Sequence, residues 1–323
     1  MNFLITGGAG FIGSHFTKML LQEKFALTPK KVTVIDALTY SGTLWNLKEV
    51  WDLQNFRFVE GNICDFELMS DLIQDADVIV NFAAESHVDR SIESAIPFIE
   101  TNVLGVANIL SILKSFPEKI FVQVSTDEVY GSIDEGSWDE TFKLAPNSPY
   151  AASKASADLL TLAFRKTHGL DVRITRCSNN YGPNQHPEKL IPRFLMLLSA
   201  DKKVPLYGQG NNFREWIYVE DHCWGIWKVI EGGSGGEIYN IGSGQEISNL
   251  DLTHKILSFF PGKEGYFENV EDRKGHDFRY SVNSKKISNQ LGFRCEHSFE
   301  SGLQMTINWY LQHGTEFQSS LGA

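Results

Sequence analysis

A glycine-rich turn lies between a short apolar run and a helical pattern at the start of the chain. The run from Phe3 to Thr6 is continuously apolar rather than alternating, as expected for a strand buried on both faces of a parallel sheet. The segment from Gly7 to Gly13 contains four glycines, and a helical pattern extends from Ser14 to Leu21. Such a turn lets the backbone approach a pyrophosphate group at the positive end of the following helix. The sequence therefore predicts a strand, a dinucleotide-binding turn and a helix in this order.

Short β-rich apolar runs continue to alternate with helical patterns through the first half of the chain. This alternation is typical of a parallel sheet that is covered by helices on both faces. We therefore predict an α/β fold, a Rossmann-type doubly wound parallel sheet, with strands at Phe3 to Thr6, Lys31 to Ile35, Phe56 to Glu60, Val78 to Phe82, Ile120 to Ser125 and Val172 to Arg176.

The regular alternation ends after about Cys177. The following segment is rich in Pro, Asn and Gly, and we expect it to contribute to a smaller, mixed α/β C-terminal substrate lobe. Two later runs, Trp216 to Val219 and Glu237 to Ile241, have the pattern of strands that could return to the main sheet. The predicted nucleotide-binding domain comprises residues 1–178 and about 216–245, and the second lobe comprises about 179–215 and 246–323.

Asp36 stands at the end of the second predicted strand, 23 residues beyond Gly13. A carboxylate at this place accepts hydrogen bonds from ribose hydroxyls and repels a 2′-phosphate. No arginine lies directly beside Asp36 to reverse that preference. The expected cofactor is therefore NAD rather than NADP.

The overall composition limits the classes of partner and location. The formal net charge of −11 argues against nucleic acid and anionic membranes, because binding to either depends on Lys and Arg. Four widely separated cysteines indicate reduced thiols, and neither they nor the histidines have the spacing of a metal site. The N-terminus lacks the basic segment of a signal peptide, and no uninterrupted apolar stretch approaches the ~20 residues of a membrane helix. We expect a cytoplasmic protein without a bound metal.

Tyr150 and Lys154 are one helical turn apart, directly after Pro149, where a helix can begin. An ordinary tyrosine, with a pKa of about 10, is a poor base near neutral pH, but an adjacent cation lowers that pKa and favours the phenolate. On its own, such a pair is usually a solvated helix surface. Together with the glycine turn and with Ser125 at a strand end, the pair indicates hydride transfer at a hydroxyl group.

The glycine turn, Ser125 and the Tyr150/Lys154 pair together resemble the extended short-chain dehydrogenase/reductase superfamily. Within it, the segment Ser-Thr-Asp-Glu-Val-Tyr-Gly at residues 125–131 is similar to the signature of the dTDP-glucose 4,6-dehydratase family. The similarity covers nearly the whole chain and continues at residues 81–91, 176–183, 187–192, 214–222 and 272–277.

The resemblance implies how the chemistry is divided among the residues. Oxidation by NAD at C4 of the hexose acidifies the C5 proton, so that water is lost across C5 and C6 before hydride returns to C6. Tyr150, assisted by Lys154, would remove the C4 hydroxyl proton, and Thr126 would hydrogen-bond the C4 oxygen. Glu128 would take the C5 proton and Asp127 would protonate the departing C6 hydroxyl. These two roles require the pKa values of the neighbouring carboxyl groups to be pushed apart.

The resemblance also assigns residues to two binding sites. The implied cofactor residues are Gly7, Gly10, Phe11, Ile12, Gly13, Asp36, Ala37, Leu38, Thr39, Asn62, Ile63, Phe82, Ala83, Ala84, Ser86, Thr101, Tyr150, Lys154 and Asn180. The implied substrate residues are Ser86, Thr126, Asn179, Lys189, Leu190, Pro205, Tyr207, Arg214, Asn249, Arg273 and His276. Asn62 departs from the family pattern, because many relatives have Asp there near the adenine amino group; its amide oxygen can accept the same hydrogen bond.

The Asp127–Glu128 pair argues against the alternative functions of similar proteins. A UDP-sugar 4-epimerase needs only oxidation and reduction at C4, and relatives that decarboxylate UDP-glucuronate typically carry Ser-Glu here. A regulator that binds NAD without turnover has no use for the full catalytic set. Another nucleotide-hexose 4,6-dehydratase stays open, because the selection of thymine over uracil depends on packing around one methyl group. The resemblance favours dTDP-glucose as the nucleotide-sugar substrate and implies a homodimer.

Overall fold

The computed structural model describes residues 1–272 and 277–321. Its strands alternate with helices as the sequence predicts. The strands are β1 (Asn2–Thr6), β2 (Lys31–Asp36), β3 (Phe56–Glu60), β4 (Val78–Asn81), β5 (Ile120–Thr126), β6 (Asp171–Cys177), β7 (Asn179–Tyr181), β8 (Val204–Tyr207), β9 (Phe213–Tyr218), β10 (Ile238–Ile241), β11 (Glu246–Ser248) and β12 (Phe267–Val270). The helices are α1 (Phe11–Leu21), α2 (Phe66–Gln74), α3 (Val88–Glu93), α4 (Ile96–Phe98), α5 (Val106–Leu113), α6 (Pro149–His168), α7 (Leu190–Ser199), α8 (Val219–Gly232), α9 (Asn249–Leu257), α10 (Lys285–Leu291) and α11 (Phe299–Ser320).

Seven strands form the main sheet, in the order β10-β6-β5-β4-β1-β2-β3. Every neighbouring pair in this sheet is parallel. The chain begins at β1, extends to β3 at one edge and crosses back to β4 on the other side of β1, which is the doubly wound Rossmann arrangement. The predicted fold class is confirmed, and the predicted strands coincide with β1 to β6 to within one residue at each end.

The first strand shows why a continuous apolar run suits this sheet. Successive side chains of a strand point to opposite faces. Phe3 and Ile5 pack with Phe16 of α1 on one face, whereas Leu4 packs with Met69 of α2 on the other. The three strand residues are at most 1% exposed. Because both faces are covered, an apolar residue is favoured at every position of β1.

The carboxyl ends of the parallel strands meet at one edge of the main sheet. Gly7 follows β1, Asp36 ends β2, Phe82 follows β4 and Thr126 ends β5. Ligands of open α/β sheets bind outside this edge, near the point where the strand order reverses, here between β1 and β4. The topology therefore brings predicted cofactor and catalytic residues together.

The second lobe contains two small sheets, β11-β9-β7 and β12-β8. The predicted return of residues 216–219 to the main sheet is wrong, because Trp216 and Tyr218 lie in β9, which pairs with β7 and β11. The other predicted strand, β10, does return and pairs with β6. An apolar pattern does not specify a strand's partner; here Trp216 and Tyr218 are buried with Phe299 and Leu303 of α11. The residue boundaries between the lobes stay a prediction.

The segment Ile96–Leu113 runs through α4, a π-helical stretch at Ile99–Gly105 and α5. By length and composition alone it is apolar enough to cross a membrane, with a mean hydropathy of 1.6 over 18 residues. Its α5 part packs against α2 and α6, and Ile109 and Leu110 are fully buried there. We therefore assign the segment to the helical layer that covers the main sheet.

Candidate active site

The turn after β1 requires glycine at its first position. Gly7 has a φ of +67°, and a Cβ atom there would lie 2.5 Å from the backbone nitrogen of Ala83. Helix α1 begins after Gly10, which offers no side-chain cap to the first amides. Amides in the first turn of a helix have no acceptor within the helix and favour an anion. The turn is thus shaped for a pyrophosphate group.

Asp36 holds the turn from the neighbouring strand. Its Oδ2 accepts a hydrogen bond from the amide of Ala9 and its Oδ1 accepts one from the amide of Leu38, both at 2.9 Å. Burial raises the pKa of the Asp36 carboxyl, while these backbone hydrogen bonds oppose the rise. Each carboxylate oxygen can accept a further hydrogen bond. The ribose hydroxyls of NAD therefore fit beside Asp36.

One cleft runs along the strand ends from Asp36 to Tyr150. All predicted cofactor residues line it except Leu38, which contributes its backbone amide to Asp36. Asn62, the departure from the family pattern, accepts a hydrogen bond from the amide of Cys64 at 2.9 Å through its Oδ1. Sequence reasoning missed further lining residues: Ser41, Gly42, Gly61, Gln185 and His186, which lie outside the segments of similarity, and Glu85 and Glu188, which lie within them.

Tyr150 and Lys154 lie on α6, where the cleft reaches β5. The helix begins at Pro149 as predicted, and the Ser148 hydroxyl accepts a hydrogen bond from the amide of Ala151. Both side chains are buried: Tyr150 is 9% exposed and Lys154 is 4% exposed. Nζ of Lys154 donates a hydrogen bond to the carbonyl oxygen of Val124 at 2.7 Å. The structure thus brings the predicted pair to the end of the cofactor cleft.

The charge balance around Tyr150 differs from the expectation that Lys154 lowers its pKa. Burial raises the pKa of Tyr150 well above its usual value, and the charges of Glu128 and Asp127 raise it further, whereas a hydrogen bond with Thr126 opposes them. The spacing of the pair indicates the nearby cation but not the depth of burial, which desolvates the phenolate. Tyr150 is therefore protonated at neutral pH in the unliganded protein.

Asp127 and Glu128 follow β5 in a short 3₁₀ turn, Asp127–Tyr130. The Thr126 hydroxyl accepts a hydrogen bond from the Glu128 amide at 3.3 Å and donates one to Oδ1 of Asp127 at 3.2 Å. Asp127 is 1% exposed, whereas Glu128 is only partly buried. Burial raises the pKa of Asp127 well above its usual value, and the Glu128 charge adds to the rise. Asp127 can therefore hold a proton beside a better solvated carboxylate.

A second cleft opens from the first towards the C-terminal lobe, and Glu128 lines both. Ser86 and Thr126, predicted for the substrate, line the first cleft. Arg273 and His276 lie outside the described residues. The other predicted substrate residues line the second cleft: Asn179, Lys189, Leu190, Pro205, Tyr207, Arg214 and Asn249. Sequence reasoning missed Arg193, Phe194, Leu206 and Trp216, which line the same cleft.

Arg214 is a buried cation of the second cleft, 4% exposed. Its Nη1 donates a hydrogen bond to the carbonyl oxygen of Phe213 at 2.6 Å, and its Nη2 donates one to that of Asp277 at 2.9 Å. The guanidinium lies over the ring of Tyr280, 4.4 Å from the ring centroid. These contacts orient a planar group whose fork matches paired phosphate oxygens.

A group of charged and aromatic side chains lies beside the two clefts, and Glu188 of this group lines both. The guanidinium of Arg90 lies 3.8 Å from the ring centroid of Tyr40 and 3.6 Å from the carboxylate of Glu188. His87 lies 3.7 Å and His186 3.6 Å from the same carboxylate. We call these five residues the Glu188 cluster. It joins the loop after β2, helix α3 and the segment before α7, so it links the two lobes.

The fold and the site together define a nucleotide-sugar enzyme of the extended short-chain dehydrogenase/reductase class. A Rossmann sheet carries the glycine turn, Asp36 and the Tyr150/Lys154 pair, and a second lobe adds an adjoining cleft. The chain belongs to the GDP-mannose 4,6 dehydratase family, whose family model matches residues 4–306.

Individual relatives narrow this assignment. The chain is 50% identical over 311 residues to a dTDP-glucose 4,6-dehydratase of Streptomyces niveus, covering 96% of this chain and 93% of the relative. It is 52% identical over 311 residues to a low-salt glycan biosynthesis protein of Haloferax volcanii, covering 96% and 99%. A dTDP-glucose 4,6-dehydratase of Streptomyces venezuelae, solved with NAD bound, superposes with a TM-score of 0.96 at 51% identity and covers 98% of each chain. The predicted NAD-dependent 4,6-dehydratase is confirmed; the roles of single residues stay predictions.

Proposed function

We propose that this chain dehydrates dTDP-glucose to dTDP-4-keto-6-deoxyglucose. The observation that carries the proposal is the buried Asp127 beside Glu128, at the place where the two clefts meet and close to Tyr150. Oxidation at C4 alone would require only Tyr150 and Lys154. The two carboxyl groups add the acid and the base that an elimination of water needs.

The cofactor cleft fits NAD. The backbone of Gly7 permits close approach, α1 presents its uncapped first turn, and Asp36 disfavours a 2′-phosphate. When bound, NAD accepts a hydride from C4 of the sugar and returns it at C6. The reaction has no net oxidation, so it needs no exchange of the cofactor between turnovers.

Tyr150 accepts the proton of the C4 hydroxyl through its phenolic oxygen as the phenolate, so its own proton must leave first, because burial raises the pKa of the side chain. Lys154, one helical turn further along α6, stabilises the phenolate by its positive charge. Thr126 hydrogen-bonds the C4 oxygen as it becomes a carbonyl. The hydroxyl lies at the end of β5, where it donates to Asp127 and accepts from the amide of Glu128, so its single proton must turn from Asp127 to the C4 oxygen.

Glu128 and Asp127 then divide the elimination between them. The new ketone acidifies the C5 proton, which Glu128 removes. Asp127 gives its proton to the departing C6 hydroxyl, and water leaves. The division depends on environment, because burial raises the pKa of Asp127 and so favours its protonated form, whereas Glu128 is only partly buried.

The experiment that tests the function is incubation of the NAD-loaded protein with dTDP-glucose, followed by mass spectrometry. We expect a product that has lost one water and that develops the absorbance of a 4-keto sugar in alkali. UDP-glucose and GDP-glucose serve as matched alternatives. Faster turnover of UDP-glucose or GDP-glucose would identify that sugar nucleotide, instead of dTDP-glucose, as the substrate. Interconversion of C4 epimers without water loss would identify an epimerase, and NAD binding without turnover of any of the three would identify a regulator.

We also propose that the chain forms a homodimer through α6 and the segment Ile96–Leu113. Leu104 is 56% exposed and Leu159 is 58% exposed, on elements that pack against each other. Ile96, in α4 at the start of the same segment, is 64% exposed. Exposed apolar side chains on elements that pack together favour a protein interface.

Sedimentation at micromolar concentration tests the dimer. We expect the parent chain to be dimeric and Leu159→Glu to be monomeric, because a carboxylate would lose its solvation in the interface. Leu311→Glu is the matched control, since Leu311 has the same 58% exposure but lies on α11. A monomeric parent, or a dimer that both variants retain, would contradict the proposal.

The proposed location is the cytoplasm. The four cysteines, Cys64, Cys177, Cys223 and Cys295, are free thiols, as suits a reducing compartment. The net charge of −11 disfavours binding to nucleic acid or anionic membranes. Fractionation of cells that express the tagged chain tests this location, and recovery with membranes would contradict it.

A further inference from the structure

A buried ion pair begins one helical turn beyond Lys154. Asp158 follows Lys154 by four residues on α6, which places both side chains on one face of the helix. Oδ2 of Asp158 accepts a hydrogen bond from Nε of Arg176 at 2.9 Å. Lys154, Asp158 and Arg176 are 4%, 0% and 2% exposed. Two cations and one anion are therefore enclosed together behind the catalytic tyrosine.

Arg176 is held in place by contacts that are independent of α6. Its Nη1 donates a hydrogen bond to the hydroxyl of Tyr130 at 2.8 Å, and its guanidinium lies 4.8 Å from the centroid of that ring. The Tyr130 hydroxyl donates to Oδ1 of Asn240 at 2.9 Å, and Nδ2 of Asn240 donates to the carbonyl oxygen of Trp138 at 2.9 Å. This network fixes the guanidinium against one oxygen of Asp158.

The second oxygen of Asp158 is buried away from Arg176, which engages only Oδ2. The Ser125 hydroxyl and Lys154 both oppose the rise that burial causes in the pKa of this carboxyl. A buried carboxylate is costly unless nearby opposite charge compensates it. The ammonium of Lys154, which donates to the carbonyl oxygen of Val124 at 2.7 Å, supplies part of that charge from the same helix.

We propose that Asp158 is a positioning residue, whose negative charge keeps the buried Lys154 in its ammonium form beside Tyr150. Arg176 pairs with the same carboxylate and thereby weakens the effect of that charge on Lys154. This role deepens the proposed dehydratase function and rests on it. Lys154 can assist Tyr150 only while it is charged, so the carboxylate acts on the first proton transfer without touching the substrate.

Among the described groups around Lys154, Asp158 is the one that provides an opposite charge. Burial lowers the pKa of Lys154, and the charges of Asp158 and Cys177 oppose that. Burial raises the pKa of Cys177 to about 12, so that it is a neutral thiol near pH 7. Two further sets of charged groups face Lys154 and Asp158. Arg176 on β6 opposes the rise that burial causes in the pKa of Asp158. The carboxyl groups of Asp127 and Glu128 face Tyr150.

The test follows C4 oxidation alone across a range of pH. The NAD-loaded Glu128→Gln variant is the common background, because it stops before water loss, and NADH absorbance after mixing with dTDP-glucose gives the rate. Adding Asp158→Asn should move the alkaline limb of the profile, where Lys154 loses its proton, about one pH unit or more to lower pH. On the alkaline side the rate should then fall about tenfold relative to the background.

Two further variants distinguish an effect of the Asp158 charge on Lys154 from a general structural effect of the substitution. Asp171→Asn is the matched control, because it breaks the 2.9 Å ion pair with Arg173 on the same strand as Arg176 but away from Lys154; its profile should match the background. Arg176→Gln should move the alkaline limb to higher pH, since the whole charge of Asp158 then acts on Lys154. A merely structural role would lower the rates of both Asp158→Asn and Arg176→Gln at every pH without moving the limb.

The outcomes distinguish this role from the proposed function. Absence of C4 oxidation in the background, together with absence of turnover by the parent chain, contradicts both. An active background whose alkaline limb is unmoved by Asp158→Asn overturns only the role of Asp158. If Asp158→Asn does not fold, Arg176→Gln decides alone, and a limb that stays in place or moves to lower pH overturns the proposal.

Discussion

The Thr126 hydroxyl donates a hydrogen bond to Oδ1 of Asp127 over 3.2 Å, while Oδ2 of the same carboxyl is buried with no partner among residues 1–272 and 277–321. Burial and the charge of Glu128 raise the pKa of Asp127. A protonated Asp127 can therefore donate from Oδ2 to a ligand in the cleft. The departing C6 hydroxyl is the acceptor that the proposed reaction provides.

Asp127→Asn should lower product formation by about 10² to 10⁴-fold, the usual contribution of a general acid. The asparagine keeps the shape of the side chain but has no acidic proton to give. C4 oxidation should continue, so NADH absorbance should accumulate on mixing with dTDP-glucose. Asp134→Asn, an exposed change in the next loop, is the control. Unchanged product formation by Asp127→Asn would contradict the assigned role.

Asp127→Asn should also stabilise the fold at neutral pH. A carboxyl whose pKa is raised in the folded state ionises first in the unfolded state. Its contribution to stability therefore declines as the pH rises above the ordinary Asp value of about 4 and through the raised pKa. Asparagine cannot ionise, so we expect a gain of about 1 kcal/mol or more. Denaturant unfolding should show a larger gain at pH 8 than at pH 5, and an equal effect at both would contradict this linkage.

Glu128→Gln should block water loss and leave C4 oxidation possible. The amide cannot accept the C5 proton, so turnover should fall by about 10² to 10⁴-fold. Rapid mixing with dTDP-glucose should show NADH that persists instead of decaying. Glu118→Gln, an exposed change just before the other end of β5, should behave as the parent. Normal product formation by Glu128→Gln would contradict its role as the base.

Asp36→Asn should weaken NAD binding by about tenfold or more. Both carboxylate oxygens accept backbone hydrogen bonds, from Ala9 and Leu38, and an amide would oppose one of these donors with its own N–H groups. Calorimetric titration of the protein stripped of cofactor measures the change. The control is Asp75→Asn, an exposed partner of Lys31 near the same sheet. Equal NAD affinity in the two variants would show that Asp36 has no part in the site.

Arg90→Ala should release NAD faster, because the Glu188 cluster connects the loop after β2 with the segment before α7, and His186 and Glu188 of the cluster line the cofactor cleft. The variant loses the contact with Tyr40 and the ion pair with Glu188. Exposed contacts of these two kinds contribute about 0.5–1 kcal/mol each, which together correspond to about a tenfold change in rate. The release of bound NAD after dilution measures the effect. Arg57→Ala, an exposed change on β3, should leave the rate of NAD release unchanged. The same rate in both variants would show that the Glu188 cluster does not retain NAD.

Local patterns in the chain were sufficient to predict β1 to β6, the turn at Gly7 and the start of α6. Each depends on neighbours within one strand, turn or helix, and that information is contiguous in the sequence. The partner of β9 could not be predicted, because its apolar pattern suits either sheet. Its place is decided by contacts of Trp216 and Tyr218 with α11, which lies far along the chain.

The class of enzyme was indicated by the sequence alone, since residues 125–131 and the Tyr150/Lys154 pair resemble the dTDP-glucose 4,6-dehydratase family. Their electrostatic balance was decided only by the tertiary structure. Burial raises the pKa values of Asp127 and Tyr150 and lowers that of Lys154, while the charge of Asp158 opposes the last of these changes. The reason is physical: the cost of a charge depends on how much solvent and opposite charge surround it, and packing between distant segments sets both.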